Sequence, residues 1–227
     1  MAAVESARLR LGSGRRTRRS HAERRAETRA RIIDGVVESI ADIGLAATTA
    51  TEIARRSGAT WGAVQHHFGD KDGLLTAVLE ESFNRFAERI DAIPVAGTDL
   101  EQRSRLFVNA AWQHFSSRHY QATFEILMVH MRGRPAQGGD SEQSQSWQER
   151  MTRAWDAVWT RVFADAPIPR SRSLLLQHYC ISVLSGLAST LTLAGETAAG
   201  VEKSGGSGLQ DRELEMLAAT LTRELSG

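Results

Sequence analysis

The stretch SGATWGAVQHHFGDKDGLL, residues 57–75, places two adjacent histidines behind a turn that contains a glycine. Just ahead of it, the four residues TATE at 49–52 have the pattern of a capping box, in which the threonine oxygen accepts the glutamate amide and the glutamate side chain bonds back. The pattern predicts a short helix over Thr51–Ser57 and a second one over Trp61–His67, with a turn at Gly58. Two short helices at this separation have the spacing of a helix-turn-helix.

The second of these helices has residue types that suit contact with the major groove of DNA. Gln65 can form two hydrogen bonds with the edge of an adenine, and Gly62 lets the backbone come close to the duplex. One of His66 and His67 can face outward and donate to a phosphate or a base. Lys71, at the start of the following helix, offers a cation and exposed backbone amides to a phosphate.

The paired histidines also allow two other interpretations, a metal site and a structural role. Neighbouring helical residues point about 100° apart, so His66 and His67 cannot easily share one ion. The sequence contains neither an HExxH motif nor paired cysteine ligands. We therefore expect no metal and no cofactor, while a core or capping role for these histidines remains open beside DNA contact.

Positive charge is concentrated at the amino terminus. The chain has a formal net charge of +1, but residues 1–31 contain ten arginines and three glutamates, which leaves about +7 on this segment and about −6 on the remainder. A basic segment on an acidic body is typical of a protein that binds a polyanion, and a solvated tail is the alternative. Residues 1–20 have almost no large apolar side chains, which predicts a disordered, arginine-rich arm.

Helical periodicity extends over nearly all of the remaining sequence. Apolar residues recur at helical spacing over about His21–Ile43 and from Asp70 to about Ile90. The four prolines all fit junctions between periodic segments. Further helices are predicted at about Asp99–Ser116, Tyr120–Met131, Glu142–Ala164, Arg170–Leu193 and Leu209–Leu225, with breaks at Arg132–Ser141, Ala166–Pro169 and Gly195–Gly208.

Cysteine content and hydropathy bear on the cellular compartment. The one cysteine, Cys180, lies in an apolar stretch and is expected in the core. No uninterrupted apolar run of about eighteen residues predicts a membrane span, and the amino terminus lacks the apolar segment of a secretory signal. We therefore expect a cytoplasmic protein with no membrane partner.

About a quarter of the chain, residues 24–80, resembles the DNA-binding domain of the tetracycline-repressor (TetR) family of bacterial transcription regulators. The matching features are the apolar face of the first helix, the TT at 48–49, the EIA at 52–54, the SG at 57–58 and above all HHFGDKD at 66–72 with the LL at 74–75. The resemblance implies an all-α fold. Its parts would be a three-helix helix-turn-helix domain at 21–69, a connecting helix at 70–92 and a helical effector-binding and dimerisation domain at 93–227.

The resemblance also implies a function. Members of the family are usually homodimers that bind a palindromic operator in double-stranded DNA, with the last two long helices as the dimer interface, and a small-molecule effector in the carboxy-terminal body releases the DNA. Trp61 stands where lysine, arginine or proline is frequent, and Gln65 where tyrosine is frequent, so the operator cannot be taken from a relative. By matching positions, the DNA contacts would be Thr49, Thr51, Thr60, Trp61, Gly62, Gln65, His67 and Lys71.

The carboxy-terminal body is rich in aromatic residues and contains four of the five tryptophans. Aromatic residues at helical spacing are more often core than pocket, but the resemblance requires an effector cavity here. An apolar or aromatic effector fits this composition. The candidate lining residues are Trp112, Phe115, Phe124, Met128, Trp155, Trp159 and His178.

Two other classes of function compete with a ligand-responsive repressor. An enzyme would need a nucleophile elbow, a phosphate-binding loop or a pair of carboxylates at diagnostic spacing, and the sequence has none of these patterns. We therefore predict a non-enzymatic protein. An architectural DNA-binding protein without an effector is the remaining alternative, and it would bind DNA with little sequence preference.

Overall fold

The computed structural model describes residues 20–132, 142–193 and 207–227. These residues form nine α-helices and no strand, which confirms the predicted all-α class, and the predicted helix ends lie within two residues of the observed ones. The predicted arm at residues 1–20 lies outside the described residues except for Ser20. The helices are α1 (His21–Ile43), α2 (Ala50–Ser57), α3 (Trp61–Phe68), α4 (Lys71–Asp91), α5 (Leu100–Phe115), α6 (Arg118–Arg132), α7 (Glu142–Phe163), α8 (Arg170–Leu193) and α9 (Ser207–Leu225).

Side-chain caps fix the first residues of the amino-terminal helices. Ser20 and Glu23 form a complete capping box at α1, with bonds of 3.1 and 2.6 Å between each side chain and the other residue's amide. At α2, the Thr49 hydroxyl accepts the Glu52 amide at 3.3 Å, as predicted. The second half of that predicted capping box is wrong, because the Thr49 amide already donates to the Ala47 carbonyl and the Glu52 carboxylate accepts from two arginines instead.

Two hydrophobic cores organise the described residues. The first core joins α1, α2, α3 and α4 to one face of α6, and its fully buried members include Ile32, Ile53, Val64, Leu74 and Ile126. The second core joins α4 and α5 to α7, α8 and α9, and includes Phe86, Phe107, Trp159, Leu184 and Leu221. Because α4 and α6 contribute to both cores, a movement in the second core can reach the helices of the first.

The outer faces of α8 and α9 carry large apolar side chains in contact with solvent. On α8, Leu174, Leu175 and Tyr179 are 46%, 65% and 41% exposed, and on α9, Leu209 and Met216 are 66% and 70% exposed. Cys180 of α8 lies in the second core and its thiol is buried, as predicted. Large exposed apolar side chains on two neighbouring helices indicate an interaction surface.

One described helix also has the length and composition of a membrane span, over Arg170–Thr192, although its sequence lacks an uninterrupted apolar run. A helix that packs one side on a protein core and offers the other to a partner meets the same criteria. Here the inner side of α8 is part of the second core.

Candidate nucleic-acid interface and aromatic cluster

Helix α3 packs its apolar face on the first core and leaves its polar face in solvent. Val64 is fully buried and Phe68 partly buried, whereas Gly62, Gln65 and His66 are exposed. Within residues 20–132 and the other described segments, no side chain is hydrogen-bonded to the Gln65 amide group, so its donor and acceptor stay available. Thr60 fixes the start of α3 because its hydroxyl accepts the Ala63 amide at 3.2 Å.

The start of α2 and the start of α4 lie beside each other. Lys71 donates from Nζ to the Thr48 carbonyl at 3.2 Å, so its ammonium lies next to the exposed Thr49 that caps α2. Thr51, in the first turn of α2, is exposed as well. A lysine keeps two further N–H groups after this bond, and a helix amino terminus favours an anion. The arrangement can therefore hold a phosphate.

Trp61 and His67 are less exposed than the other predicted contacts. The Trp61 ring, one of the predicted DNA contacts, is partly buried and packs against the first core. Burial lowers the pKa of His67 below its ordinary value, and the nearby charges of Arg25, His66 and Arg29 lower it further. The neutral imidazole then has one donor and one acceptor for DNA.

The metal interpretation of the paired histidines can be compared with their geometry. The His66 and His67 rings have centroids 5.7 Å apart and stand edge to face. Among the described residues, no group of three or more histidine, cysteine, aspartate or glutamate side chains could hold a metal ion.

Two arginines of α1 lie beside the carboxy-terminal end of α3, and the sequence analysis did not single them out. The Arg29 guanidinium stands 4.9 Å from the centroid of the Phe68 ring, and Arg25 is near enough to influence His67. Arg24 and Arg25 are exposed. The arginine-rich amino terminus is visible in the sequence, but only the contact of Arg29 with Phe68 shows which of those arginines lie beside α3.

The arginines of α2 are neutralised, in contrast. The Glu52 carboxylate accepts from Arg55 and Arg56, each at 2.6 Å, and these hydrogen bonds lower its pKa to about 2. Arg56 also pairs with Asp42 of α1. Among the described residues, Arg55 and Arg56 are therefore both paired with carboxylates, whereas Arg25 and Arg29 of α1 form no ion pair.

Helix α6 is tied to the end of α1 by polar contacts. The Glu125 carboxylate accepts the Leu45 amide at 2.8 Å, and Arg118 pairs with Asp42. These contacts lie directly before the turn into α2. A displacement of α6 would therefore act on the connection between α1 and the helix-turn-helix.

The second core contains a cluster of aromatic rings. Phe86 and Trp155 are stacked with centroids 4.8 Å apart, Phe107 meets Trp159 edge to face at 5.3 Å, and Phe115 lies 4.4 Å from Tyr120. Four of the seven predicted lining residues belong to this cluster or pack against it, namely Trp112, Phe115, Trp155 and Trp159.

The other three predicted lining residues lie farther out. Phe124 is 37% exposed, although its ring remains 6.2 Å from that of Tyr120, and Met128 is half-buried on the same helix. His178 is exposed on the outer side of α8, next to the apolar face that contains Tyr179. The structure therefore does not bring His178 into the aromatic cluster.

Two polar groups of the cluster distinguish it from a purely apolar core. The Nε1 atom of Trp155 is buried and has no hydrogen-bond partner among the residues that the structure describes. Burial, with smaller contributions from Arg89 and His119, lowers the pKa of His114 to about 4, so this imidazole is neutral near pH 7. A buried N–H without a partner is costly, and a bound acceptor would satisfy it.

Residues 32–78 match the family model described as bacterial regulatory proteins, tetR family. The HTH-type transcriptional regulator BetI of Burkholderia lata is 29% identical over 181 residues, which cover 69% of this chain and 93% of BetI. BetI of Cronobacter sakazakii is 26% identical over 176 residues, covering 74% and 81% of the two chains.

Solved structures share the architecture. A transcriptional regulator from Rhodococcus sp. Rha1 superposes with a TM-score of 0.63 at 17% identity, covering 88% of this chain and 98% of the regulator. The transcriptional regulator FadR from Bacillus subtilis, solved in complex with stearoyl-CoA, gives a TM-score of 0.58 at 14% identity, covering 87% of this chain and 97% of FadR. The matched residues 32–78, with the exposed polar face on α3, form a helix-turn-helix of the TetR type, the DNA-binding domain of a non-enzymatic family of bacterial transcription regulators.

Proposed function

We propose that this regulator acts as a repressor in the cytoplasm, that it binds a palindromic operator as a homodimer, and that a small apolar or aromatic effector releases it. The exposed face of α3 carries the proposal, because Gly62 and the unpaired Gln65 amide stand clear of the core on a helix that is fixed at both ends. A second helix of this size and exposure suits the major groove.

The predicted contact residues divide into two roles. Gly62, Gln65 and His67 face base edges, with Gln65 as the main reader of an adenine. Thr49, Thr51, Thr60 and Lys71 hold phosphates at the starts of α2, α3 and α4, where amides and a cation meet. Trp61 sets the position of α3 through its packing on the first core and reaches DNA with the exposed part of its ring.

The outer faces of α8 and α9 support the homodimer. Their exposed leucines, tyrosine and methionine would cost free energy in a monomer, and a two-fold pairing of the same face buries them. We expect Leu175→Glu to convert a dimer into a monomer in sedimentation experiments, while the equally exposed but polar position of Arg105, changed to Glu, leaves the dimer intact.

The aromatic cluster supports the effector part of the proposal. FadR of Bacillus subtilis, which shares the fold, was solved with a ligand that has a long apolar chain. In this chain we place the effector against Trp112, Phe115, Trp155 and Trp159, with Phe124 and Met128 at its outer edge. His178 is exposed on α8 and lies apart from these residues.

The first experiment is selection of bound sequences from random and genomic DNA at physiological salt. A recovered palindrome supports a dimeric, sequence-specific regulator, and its neighbouring genes narrow the choice of effectors. Recovery of salt-sensitive but sequence-indifferent binding would instead favour an architectural DNA-binding protein.

Variants then assign the roles of individual side chains. Gln65→Ala is expected to weaken operator binding by roughly 5- to 150-fold, the equivalent of about 1–3 kcal/mol, with little effect on unrelated DNA. Lys71→Ala is expected to weaken both and to reduce the salt slope by about one. Gln102→Ala, an exposed glutamine of α5, is the matched control.

A ligand screen on the operator complex tests the effector site. Apolar and aromatic compounds are added to the protein–operator complex, and release of the DNA is followed by fluorescence anisotropy. For a compound that releases wild-type protein, Trp112→Phe and Trp159→Phe should shift the effective concentration. An unchanged response in both variants would remove the cluster as the effector site.

A further inference from the structure

Helix α4 carries a buried aromatic ring, Phe86, that has polar side chains of three helices around it. Phe86 is 1% exposed and stacks on Trp155 of α7 with ring centroids 4.8 Å apart. It also meets the imidazole of His114, on α5, at 5.1 Å between centroids. Ser82 precedes Phe86 by one helical turn on the same face of α4 and is likewise 1% exposed.

Two of these polar groups have no hydrogen-bond partner among the described residues. They are the hydroxyl of Ser82 and the Nε1–H of Trp155, and both atoms are buried. The buried hydroxyl of Ser39 shows the usual alternative, since it lies 2.9 Å from the hydroxyl of Thr48. A buried polar group without a partner costs free energy, so two of them beside one ring indicate a place for a bound molecule.

The groups around Phe86 suit a hydrogen-bond acceptor that has no charge. An indole N–H only donates, a hydroxyl can donate, and a neutral imidazole has one donor and one acceptor. Burial, and then the charges of Arg89 and His119, lower the pKa of His114 to about 4, so this place disfavours a further positive charge. An anionic group would lose its hydration here without a buried cation in exchange, because Arg89 is exposed and donates to Gln113.

The arrangement of the rings favours an aromatic molecule. The planes of Phe86 and Trp155 are 5° apart, and Phe107 meets Trp155 edge to face at 6.4 Å. Trp155 as a whole is half-buried among the described residues, so its ring has room for a further aromatic contact. An aromatic ligand can therefore add to the stack while its polar atom meets the donors.

We propose that Ser82, His114 and Trp155 form the polar end of the effector site and bind the uncharged carbonyl oxygen of an aromatic ligand. The Ser82 hydroxyl and the Trp155 N–H are covered by neighbouring side chains, so the half-buried indole moves when the ligand enters. This inference rests on the proposed effector response and names the chemical class of the effector.

Matched pairs of aromatic compounds test the need for an acceptor. The pairs are fluorenone with fluorene, benzophenone with diphenylmethane, and acetylnaphthalene with ethylnaphthalene, and naphthylmethylamine represents a cation. Binding to the full-length protein without DNA is measured by titration calorimetry. In at least one pair the ketone should bind about tenfold more tightly than the hydrocarbon, because the hydrocarbon leaves the buried donors unpaired.

Three results of these titrations would overturn the proposal. In the first, the hydrocarbon binds at least as tightly as the ketone in every pair. In the second, the amine binds more tightly than the ketones. In the third, none of the compounds binds.

Variants assign the preference to particular donors. Trp155→Phe and Ser82→Ala each remove one donor, so the ratio of ketone affinity to hydrocarbon affinity should fall towards one. Ser104→Ala is the matched control and should keep the ratio. Its hydroxyl is also buried without a partner among the described residues, but it lies about 15 Å from His114 along α5. A wild-type ratio in both donor variants would contradict the proposal.

Unfolding without a ligand gives an independent check. Ser82→Ala removes a hydroxyl that has no described partner, so the urea midpoint should stay unchanged or rise. Ser39→Ala removes a hydrogen bond to Thr48 and should lower the midpoint. An equal fall in both variants would mean that the Ser82 hydroxyl is already bonded, against the proposal. Ketones that bind without releasing the operator would instead contradict the proposed function, as would failure to recover any operator.

Discussion

The neutral His114 makes the stability of the protein depend on pH in a predictable way. The imidazole lies among aromatic rings, with Phe86 at 5.1 Å and both Phe115 and Tyr120 at 5.6 Å between centroids. Burial lowers its pKa from 6.5 to about 4. The unfolded chain therefore binds a proton at a pH at which the folded chain does not, and stability falls as the pH decreases from above 6.5 towards 4.

The size of the effect follows from the two pKa values. Near pH 7.5 His114 is neutral in both the folded and the unfolded chain, so its protonation contributes almost nothing to the free energy of unfolding. Near pH 5 the unfolded state is mostly protonated and the folded state mostly neutral, which lowers the free energy of unfolding by about 2 kcal/mol. Below the folded pKa the loss levels off at about 3 kcal/mol.

Urea denaturation at pH values of about 7.5 and 5 measures this difference, with His114→Gln as the variant. The wild-type protein should lose about 2 kcal/mol more than the variant between the two pH values, whatever the variant costs at the higher pH. His66→Gln, which changes an exposed imidazole, serves as the control and should follow the wild type. If His114→Gln and wild type have parallel pH dependences, then His114 is not held neutral by burial and the reasoning fails.

Two further predictions concern packing and a buried cation. A Cβ at Gly73 would lie 2.2 Å from the Phe68 carbonyl oxygen. Gly73→Ala should therefore lower the free energy of unfolding, measured by heat or urea, by about 1–3 kcal/mol and weaken operator binding. Gly208→Ala is the control and should be near neutral, because a Cβ there would meet open space. Arg103 is 3% exposed and donates to Asp165 at 2.6 and 2.7 Å. Arg103→Met should lower the free energy of unfolding by about 1–3 kcal/mol, whereas Asp165→Asn, at an exposed carboxylate, should lower it by less than about 1 kcal/mol. Equal losses in the two variants would contradict this ordering.

Local signals in the sequence were sufficient to predict where the helices begin and end. Thr49, Thr60 and Asp70 each accept the amide three residues ahead, and Gly58 takes the left-handed conformation that ends α2. These are interactions between near neighbours in the chain, so the residue types alone predict them. The exposure of Gln65 and the burial of Val64 follow from the same helical spacing.

Contacts between distant residues were not predictable in this way. Trp61 is predicted as a DNA contact, and its ring packs partly on the first core. His178 is predicted as a lining residue of the effector pocket, but it is exposed on α8. Only packing distinguishes the inner face of that helix from the outer one. The position of Arg29 over Phe68 likewise depends on a contact between residues that are distant in the sequence.

The attachment of α6 to the first core bears on the construction of chimaeric regulators. Ala122 and Ile126 of α6 are fully buried among the side chains of the first four helices, and Glu125 accepts the Leu45 amide. A fusion that joined residues up to Asp91 to the body of another regulator would discard these groups, even though the junction lies between helices. The portable DNA-reading unit is therefore discontinuous in sequence, and a functional hybrid needs the inward face of α6 from the same parent as the helix-turn-helix.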